Sequence, residues 1–349
     1  MNVEKVGKAI AYLRKRAGYT QKDLADRIGI SDKAVSKWER GLGLPEIGYL
    51  RKLSILLDTD SDSLLAGDVV HHDNNWSGVI VLAENPYDIG AGTLIYDKPL
   101  IYYILSYFLL VGIHDVTIVC AEADQKYISK KLGNGSEYGI KITLAENLGA
   151  AVESRTWTGS VMMVYGRCLL YGVDQTRFFQ KAMINRDRFT MMVLPKKMRN
   201  QASHVVIDQD MKVIKSNVDE PLKTQYDFSD IPILFFPAFI LPEMAKKRDI
   251  SSFISDYAIN NELYVYMLDR GFVEIEVDDW NNVQEASTFI KIVQDKCGMI
   301  VYCIEEVAWR RGFISLNQLR ILGEKMEGTE YGDYVRSLYH RIKDNTKIE

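Results

Sequence analysis

Three groups of residues in the chain have side chains or spacings that could support chemistry. The adjacent histidines His71 and His72 could bind a metal ion, but neighbouring side chains point apart on a helix or a strand, and no cysteine or carboxylate cluster accompanies them. The four cysteines also lack the spacing of a metal site. The third group, Gly90 to Gly92, is a weak signal for a phosphate-binding loop, because no helix cap or basic residue follows it. These groups predict neither a metal ion nor a cofactor.

The composition and the distribution of charge restrict the class of protein. A chain of 349 residues, of which 47% are hydrophobic and 26% charged, predicts two or three globular domains with a sizeable core. Residues 1–68 carry 12 basic and 10 acidic side chains, out of 43 and 47 in the whole chain, so the remainder is clearly acidic. Only the N-terminal part therefore has the sign of charge that attracts a DNA backbone.

The most apolar stretch, residues 95–113, has the length of a membrane span but not its composition. Asp97, Lys98, Pro99 and Ser106 interrupt it, so we expect it to form part of a core. The charged N-terminus does not resemble a signal peptide. We therefore expect a cytoplasmic protein that has no membrane partner and whose cysteines are reduced.

The first 66 residues show the periodicity of a small all-α domain. Apolar residues recur at helical spacing, and Thr20 and Ser31 are predicted N-caps of the second and third helices, which Gly29 separates. Five helices are predicted. The first ends before Gly18, the second spans residues 21–28, and the third runs from residue 32 through Arg40. The fourth follows Pro45, and the fifth lies near residues 61–65. A polar stretch without periodicity, residues 67–77, is the predicted linker.

The string TQKDLADRIGISDKAVSKWERGLGLPEIGYLRKL resembles the helix-turn-helix proteins of the Cro/C1 type, also called the xenobiotic-response-element family. The resemblance covers residues 1–66 and includes the Thr-Gln opening, the Gly of the turn and the closing Trp-Glu-Arg-Gly. In that family the second helix of the pair enters the major groove of double-stranded DNA. The resemblance implies a DNA interface at Gln21, Ser31, Asp32, Lys33, Ser36, Lys37 and Arg40.

The residue types at these positions suit base and phosphate contacts. Gln21 matches a phosphate contact of the family, and Asp32, Lys33, Ser36 and Lys37 match its base-contacting positions. Either lysine could donate to guanine O6 and N7, and Asp32 could accept from cytosine N4. For any single side chain, the alternative of a solvated residue on an exposed helix stays open.

From Gly78 onward, short β-branched runs alternate with helical segments. The runs are GVIVLA, DVTIVCA, IKITLA, SVMMVYG and FTMMVLP. This alternation predicts an α/β domain at 78–295, with a parallel or mixed sheet and crossover helices, and C-terminal helices at 296–349. In such sheets, ligands bind at the carboxyl ends of the strands.

Several blocks of this region resemble the sugar-phosphate nucleotidyltransferases, specifically the glucose-1-phosphate thymidylyltransferases. The blocks, which occur in the family's order, are IYDKPLIYYILSYFLLVGIHDVTIV, LGNGSEYGIKI, YMLDRGFVEIEVDDWNNVQEAS and CGMIVYCIEEVAWRRGFISLNQLRIL with YGDYVRSL. Together they cover nearly all of residues 77–342. The resemblance implies a Rossmann-like, mixed and mainly parallel sheet.

The catalytic positions of that family are substituted in this chain. A shortened, acidic and Pro-containing stretch at 84–94 replaces the Gly-Thr-Arg loop, and the Arg is missing. The first Mg²⁺-binding Asp of the family falls on Arg167 and the second on Glu276, while a phosphate-binding Lys falls on Glu220 and a base-reading Gln near Ala150. Phosphoryl transfer depends on cations around the phosphates. We therefore predict an inactive enzyme domain without catalytic residues.

Two alternatives to this interpretation remain. The first is a working nucleotidyltransferase with an added DNA-binding domain, in which Glu276, Asp278 and Asp279 form a remodelled metal site. A solvated acidic loop is the preferred interpretation of those residues. The second alternative is a dimerisation scaffold without a ligand.

A second group of family positions is retained. In the thymidylyltransferases a regulatory nucleotide site lies away from the catalytic cleft, and the residues here that resemble its lining are Tyr171, Gly172, Arg270, Gly271, Glu306, Val307 and Arg310. An arginine suits phosphate because its planar fork can bind two oxygens. The alternative is that these residues hold the C-terminal helix or make a subunit contact, and both interpretations stay open.

The sequence as a whole predicts a transcriptional regulator. A DNA-binding head is joined to an inactive nucleotidyltransferase-like body, which forms a homodimer or homotetramer and brings two heads to a two-fold operator. A nucleotide or nucleotide-sugar is the candidate effector.

Overall fold

The computed structural model describes residues 2–16, 19–57, 59, 64–65, 67, 76–82, 85–195, 206–208, 210–215, 228–247, 249–260, 262–269 and 271–345. The chain forms two compact units, residues 1–71 and 72–349. Among the helices of these described residues, none is long and apolar enough to cross a membrane.

The helices of the first unit whose bounds lie within the described residues are α1 (Val3–Arg16), α2 (Gln21–Ile28), α3 (Asp32–Glu39) and α4 (Ile47–Leu56), and residues 64–65 are also helical. Their apolar faces meet in one core that includes Ile10, Leu24, Val35 and Leu53, all of which are buried. This arrangement follows the predicted helix pattern, because residues three and four apart lie on one face of a helix. Most of the predicted fifth helix and linker lies outside the described residues.

One apolar residue at the start of α4 lies at the surface. Ile47 is 88% exposed because it is the first residue of α4, whereas Leu50 and Leu53 of the same helix are buried. The first turn of this helix therefore extends beyond the core, and the helical period alone does not show where packing begins.

The second unit is built on a seven-stranded sheet with the order β12-β8-β11-β6-β1-β4-β5. Its strands are β1 (Trp76–Leu82), β4 (Asp115–Cys120), β5 (Lys141–Ala145), β6 (Ser160–Tyr165), β8 (Phe189–Pro195), β11 (Phe228–Pro237) and β12 (Leu263–Met267). β1 pairs in parallel with β4 and β6, and β4 pairs in parallel with β5. β11 alone runs antiparallel, between β6 and β8. The predicted mixed, mainly parallel sheet is thus confirmed.

Short strands and helices complete the unit. The strands are β2 (Leu94–Ile95), β3 (Lys98–Pro99), β7 (Cys168–Tyr171), β9 (Val206–Ile207), β10 (Val213–Lys215) and β13 (Val273–Glu276). The helices are α5 (Leu100–Leu110), α6 (Glu122–Leu132), α7 (Leu148–Glu153), α8 (Gln175–Ala182), α9 (Leu241–Ala245), α10 (Ile250–Asn260), α11 (Trp280–Cys297), α12 (Ile304–Arg310), α13 (Leu316–Lys325) and α14 (Glu330–Asn345). The predicted C-terminal helices are therefore present.

Helix α5 lies in the core of the second unit. Every residue from Leu100 to Leu109 is buried, as expected for the apolar stretch that the sequence assigns to a core. The helix lies so close to the sheet that a Cβ atom on Gly78 of β1 would come within 2.7 Å of the Phe108 ring. Only glycine allows this approach.

Two strands of the sheet, β11 and β12, are not among the five apolar runs that predict the other strands. β11 carries Asp230 and Pro232 within its length, and β12 alternates tyrosine with aliphatic residues over only five positions. Both segments contain apolar runs, ILFF in β11 and LYVYM in β12, so the sequence analysis missed a signal that was present.

Candidate functional site

Helices α2 and α3 are positioned by their caps and by the turn between them. The Thr20 hydroxyl accepts from the Asp23 backbone N–H at 3.1 Å, while the Asp23 carboxylate accepts from the Thr20 N–H at 2.8 Å. Ser31 caps α3 by accepting from the Ala34 N–H at 3.3 Å. Gly29 ends α2 with a φ of +87°, a conformation that favours glycine. The two helices therefore follow the boundaries that the sequence predicts.

The residues assigned to a DNA interface lie on the accessible side of α3. Asp32, Lys33 and Lys37 are exposed and Ser36 is half-buried, whereas Val35 and Trp38 of the same helix are buried. The exposed Arg40 caps the helix and donates from Nε to the Ser36 carbonyl at 3.2 Å. Helix α3 thus presents Asp32 and Lys33 in its first turn and Lys37 in its last turn, a set of side chains that can contact base edges in a major groove.

Beneath these helices lies a buried ion pair that the sequence analysis missed. Arg14 of α1 donates to Glu39 of α3 at 2.5 Å, and their side chains are only 9% and 8% exposed. Gln21 of α2 also donates to Glu39, at 2.7 Å. One carboxylate therefore joins three helices. Because Arg14 and Glu39 are 25 residues apart, no local pattern points to their contact.

This network bears on the role assigned to Gln21. The structure commits one amide N–H of its side chain to Glu39, and an amide NH₂ group carries a second donor. A phosphate contact from Gln21 would therefore be oriented by the same carboxylate that holds Arg14.

In the second unit, Arg167 occupies the carboxyl end of β6. It is 6% exposed, and its Nε donates to the Ile89 carbonyl in the loop after β1 at 2.5 Å. Burial lowers the pKa of the guanidinium, while Asp278 and Asp124 act in the opposite direction. Arginine stays protonated in proteins. A fixed cation therefore lies where the resemblance implies a metal-binding carboxylate.

The loop after β1 has its backbone donors engaged by the chain itself. The Gly90 N–H donates to the Thr93 hydroxyl at 3.0 Å, and the Ala91 N–H donates to the Asp124 carboxylate at 2.7 Å. A Cβ atom on Gly90 would lie 2.3 Å from that carboxylate. The absence of a side chain at Gly90 thus allows the Asp124 carboxylate of α6 to reach the loop amides. This gives the Gly-Ala-Gly sequence a structural role.

The acidic residues Glu276, Asp278 and Asp279 do not assemble into a metal site. The Asp279 carboxylate caps α11 by accepting from the Asn282 N–H at 2.8 Å, and the Asp278 carbonyl accepts from Asn85 at 2.8 Å. Glu276 is exposed at the end of β13. The described part of the chain contains no group of three or more residues that could hold a metal ion. These residues, with Arg167 nearby, do not fit the Mg²⁺ that the resemblance implies.

A small pocket includes two of the residues assigned to the regulatory site. It has a volume of about 260 Å³ and lies between the end of β7, the start of α8 and the segment after α11. Its lining residues are Leu110, Tyr171, Gly172, Asp174, Gln175, Thr176, Val293, Cys297, Met299, Ile300, Val301 and Tyr302. Burial raises the pKa of the Tyr171 hydroxyl.

Gln175 in this pocket is the clearest feature that the sequence analysis missed. It is 4% exposed, yet neither its side-chain oxygen nor its nitrogen has a hydrogen-bond partner among the described residues. Two further lining residues, Asp174 and Tyr302, have φ angles of +56° and +51°. Unsatisfied buried amides and strained backbone both cost free energy, and both occur preferentially at binding sites. In the sequence, Gln175 has only the signature of the start of a surface helix.

The other residues assigned to the regulatory site do not line this pocket in the part of the chain that the structure describes. Arg310 donates to Glu306 at 2.8 Å, and Glu306 accepts from the Tyr334 hydroxyl at 2.6 Å. Val307 is half-buried against the core. Gly271 is exposed with a φ of +101°, and Arg270 lies outside the described residues. The structure thus brings together Tyr171 and Gly172 in one pocket, whose described lining does not include Arg310 or Glu306.

Comparison with known protein families matches both units. Residues 10–64 match a family described as helix-turn-helix. Residues 93–297, more than half of the chain, match a family described as nucleotidyl transferase. Both resemblances that the sequence motifs carry are thereby confirmed.

Curated relatives support the second match. A glucose-1-phosphate thymidylyltransferase of Neisseria meningitidis is 27% identical over 259 residues, which are 70% of this chain and 90% of the relative. One of Actinoplanes is 25% identical over 260 residues, 70% of this chain and 85% of the relative. Another, of Xanthomonas campestris, is 26% identical over 262 residues, which cover 71% and 88%.

A solved structure shares the fold. The crystal structure of a candidate glucose-1-phosphate thymidylyltransferase of Bacillus anthracis superposes with a TM-score of 0.51 at 13% identity. The superposition covers 61% of this chain and 94% of the other. At this identity the likeness concerns the fold alone.

Proposed function

Because the chain belongs to the nucleotidyl transferase family and also carries a helix-turn-helix domain, we propose that it is a sequence-specific DNA-binding transcriptional regulator. Its nucleotidyltransferase-like body is catalytically inactive and serves for assembly and for sensing. The helix-turn-helix unit binds operator DNA through the exposed side of α3. The body responds to a nucleotide or a nucleotide-sugar.

The position of Arg167 is the observation that best supports the proposal that the body is catalytically inactive. A buried guanidinium bound to the Ile89 carbonyl lies where a metal-binding carboxylate would be needed. A divalent metal ion beside this cation would be repelled, and transferring phosphates would lose the charge neutralisation on which their reaction depends. The Gly90 and Ala91 amides cannot compensate, because Thr93 and Asp124 already accept their hydrogen bonds.

Assembly of the body would place two DNA-binding units on one operator. Helix-turn-helix proteins bind two half-sites about one helical turn apart, and the symmetry of the site mirrors that of the protein. A homodimer or homotetramer of the body supplies this symmetry. Sedimentation of the full chain, alone and with a two-fold operator, measures the stoichiometry.

The pocket around Tyr171 and Gln175 is the proposed effector site. The unpartnered amide of Gln175 carries two N–H donors and one acceptor oxygen, which a ligand would satisfy once it reaches these buried atoms. The first two backbone N–H groups of α8, after Asp174, favour a negatively charged group nearby. A ligand with a polar ring and a phosphate, such as a nucleotide, combines both features.

The test measures DNA binding by the full chain with and without nucleotides and nucleotide-sugars. Operator fragments are first selected from random duplexes, and affinity is then followed by fluorescence anisotropy. We expect salt-dependent duplex binding, and a change of about 5–150-fold in operator affinity with an active effector, which corresponds to a coupling of about 1–3 kcal/mol. If no duplex binds, the regulatory proposal is wrong. If DNA binds but no ligand stabilises the chain in a thermal shift, the body acts as a scaffold without an effector.

A second candidate function is nucleotidyl transfer by the same chain. It is favoured by the retained Glu276 and by relatives named as glucose-1-phosphate thymidylyltransferases, which this chain matches over 90% of the length of the Neisseria meningitidis protein. Release of pyrophosphate from a nucleoside triphosphate and glucose 1-phosphate distinguishes this function from the inactive body.

A further inference from the structure

The proposed effector pocket contains an exposed thiol that the mechanism has not used. Cys297 is the last residue of α11 and lines the pocket together with Tyr171 and Gln175. All four cysteines of the sequence lie within the described residues, and the other three are buried: Cys120, Cys168 and Cys303. Cys297 is therefore the thiol that a reagent in solution can reach while the chain is folded.

The end of α11 holds Cys297 in a defined position. The next residue, Gly298, has a φ of +66° and donates its N–H to the Gln294 carbonyl at 2.9 Å, which ends the helix. The buried Gln294 side chain donates to Asp97 at 3.1 Å and accepts from the Val301 N–H at 2.8 Å. These bonds anchor the last turn of α11 to the body, so the thiol stays beside the pocket.

The thiol is also adjacent to the pocket wall. Burial raises the pKa of the Tyr171 hydroxyl, and the neighbouring Cys297 thiol raises it further. Gln175 is an independent sign of a ligand on the same lining, because its buried amide has no hydrogen-bond partner among the described residues. A group attached to the Cys297 sulfur would thus lie beside Tyr171, in the pocket that Gln175 lines.

Reaction of a thiol with a disulfide requires the thiolate and access to its sulfur. Burial raises the pKa of Cys120 to about 12 and holds that of Cys303 well above its ordinary value, so neither thiol ionises near neutral pH. Cys168 lies in the main hydrophobic core of the body. Of the four thiols, Cys297 combines an exposed position with a place in a pocket.

We propose that Cys297 is a modification site, at which exchange with a low-molecular-weight disulfide attaches a group that occupies the pocket and excludes the effector. The thiol loses its proton to solvent, and its sulfur attacks one sulfur of the disulfide. The disulfide bond breaks as the new S–S bond forms, and the other half leaves as a thiolate that takes up a proton. Cys297 is thereby oxidised and the leaving half is reduced, and a free thiol reverses the step. Exclusion of an effector rests on the proposed function of the pocket, whereas the modification itself does not.

The first experiment counts reactive thiols in the full chain with dithionitrobenzoate, an aromatic disulfide that releases a coloured thiolate. We expect one thiol to react rapidly in the folded chain, and all four to react after denaturation in guanidinium. Cys297→Ser should remove the rapid reaction. If the folded chain shows no rapid thiol, or if Cys297→Ser retains it, the assignment to Cys297 is wrong.

The second experiment locates the attached group by hydrogen exchange. Treatment of the unmodified sequence with hydroxyethyl disulfide should slow the exchange of amides at residues 171–176, which are far from Cys297 in sequence but line the same pocket. The matched control carries Lys296→Cys together with Cys297→Ser, which moves the thiol to an exposed position outside the described lining. The treated control should exchange at 171–176 as it does before treatment. No change in the treated unmodified sequence, or the same change in the control, would overturn occupation of the pocket.

The third experiment tests exclusion with thymidine triphosphate and thymidine diphosphate glucose as probes. Binding at this pocket is identified by slowed exchange at residues 171–176 in the untreated chain. The hydroxyethyl-modified chain should bind such a probe at least tenfold more weakly, and dithiothreitol should restore the affinity. Equal affinity before and after modification contradicts exclusion. If neither probe binds the pocket of the untreated chain, the result counts against a nucleotide effector, while the first two experiments still decide the modification.

Discussion

The helix-turn-helix unit and the strand ends of the body differ in whether the polar side chains at their family's motif positions are accessible. In the first unit, Lys33 and Lys37 stay accessible on α3, and a buried Arg14–Glu39 pair supports the helices beneath them. In the body, the sheet of the family is complete, but Arg167 is turned into the loop that it faces. Packing of a sheet depends on many apolar side chains, whereas phosphate chemistry depends on a few polar ones. A fold can therefore persist where the residues of its site are substituted, because the two depend on different side chains.

The largest expected effect concerns the rate of nucleotidyl transfer by the body. With Mg²⁺, glucose 1-phosphate and each nucleoside triphosphate, the chain should release pyrophosphate at least a thousandfold more slowly than the roughly 1–1,000 per second of ordinary enzymes. Loss of one stabilising contact costs about 3 kcal/mol, and this chain lacks several. A coupled pyrophosphate assay measures the rate.

The variant Arg167→Asp sharpens this prediction. It restores a carboxylate but not the missing loop arginine, so the rate should stay near the background. If the unmodified chain turns over in the range of ordinary enzymes, the body is not inactive, and the second candidate function is favoured.

The next largest effect concerns the support under the DNA-binding helices. Glu39→Ala leaves Arg14 buried without its partner and should lower the free energy of unfolding of the first unit by about 3–5 kcal/mol. Hydrogen exchange of the amides of α1–α3 in the full chain measures the loss. The control, Glu4→Ala, removes an exposed pair with Lys8 and should leave exchange unchanged, because exposed pairs contribute little. Equal effects of the two variants would contradict a supporting role for Glu39.

Substitutions of base-contacting and phosphate-contacting residues should have different effects on binding to the selected operator. Lys33→Ala or Lys37→Ala should cost about 1–3 kcal/mol of binding free energy and relax the preference for one base pair. Gln21→Ala should weaken all duplexes alike. Lys130→Ala in α6 of the body is the control and should change neither. Anisotropy titrations on matched and single-substituted duplexes provide the measurement, and uniform weakening by the lysine variants would assign them to phosphates.

Substitutions at Gln175 in the pocket and at Arg310 should have different effects on effector binding and stability. Gln175→Leu removes an unpartnered amide, so it should weaken effector binding by about 1–3 kcal/mol without destabilising the body. A thermal shift with and without effector measures both quantities. A large loss of stability without ligand would instead assign Gln175 to the core.

The smallest expected effect on stability is at Arg310. Its side chain is 60% exposed and forms an i,i+4 pair with Glu306, so Arg310→Ala should cost at most about 0.5 kcal/mol. If Arg310 contacts an effector, this variant should abolish the response of DNA binding to the ligand while ligand-free DNA affinity and oligomeric state are retained. Dissociation into monomers would identify Arg310 as an interface residue.

Much of the architecture could be predicted because its signals are local. The caps Thr20 and Ser31, the turn at Gly29 and the five β-branched runs all lie within a few residues of the elements they define. The strands β11 and β12 also have local apolar runs, but Asp230 and Pro232 interrupt β11 and β12 is only five residues long, so they were not predicted. The exposure of Ile47, by contrast, depends on where the core ends.

The sequence by itself determined the two domain types and the helix pair with its lysines, and it predicts that Arg167 falls on a metal-binding position of the family. Only the tertiary structure decided what these side chains contact: Glu39 joins Arg14 and Gln21, Asp124 occupies the loop amides, and Gln175 is buried without a partner. Residue types and local periods are properties of the chain. A hydrogen bond between residues far apart in sequence exists only after packing brings them together, and the cost of a buried polar group depends on what surrounds it.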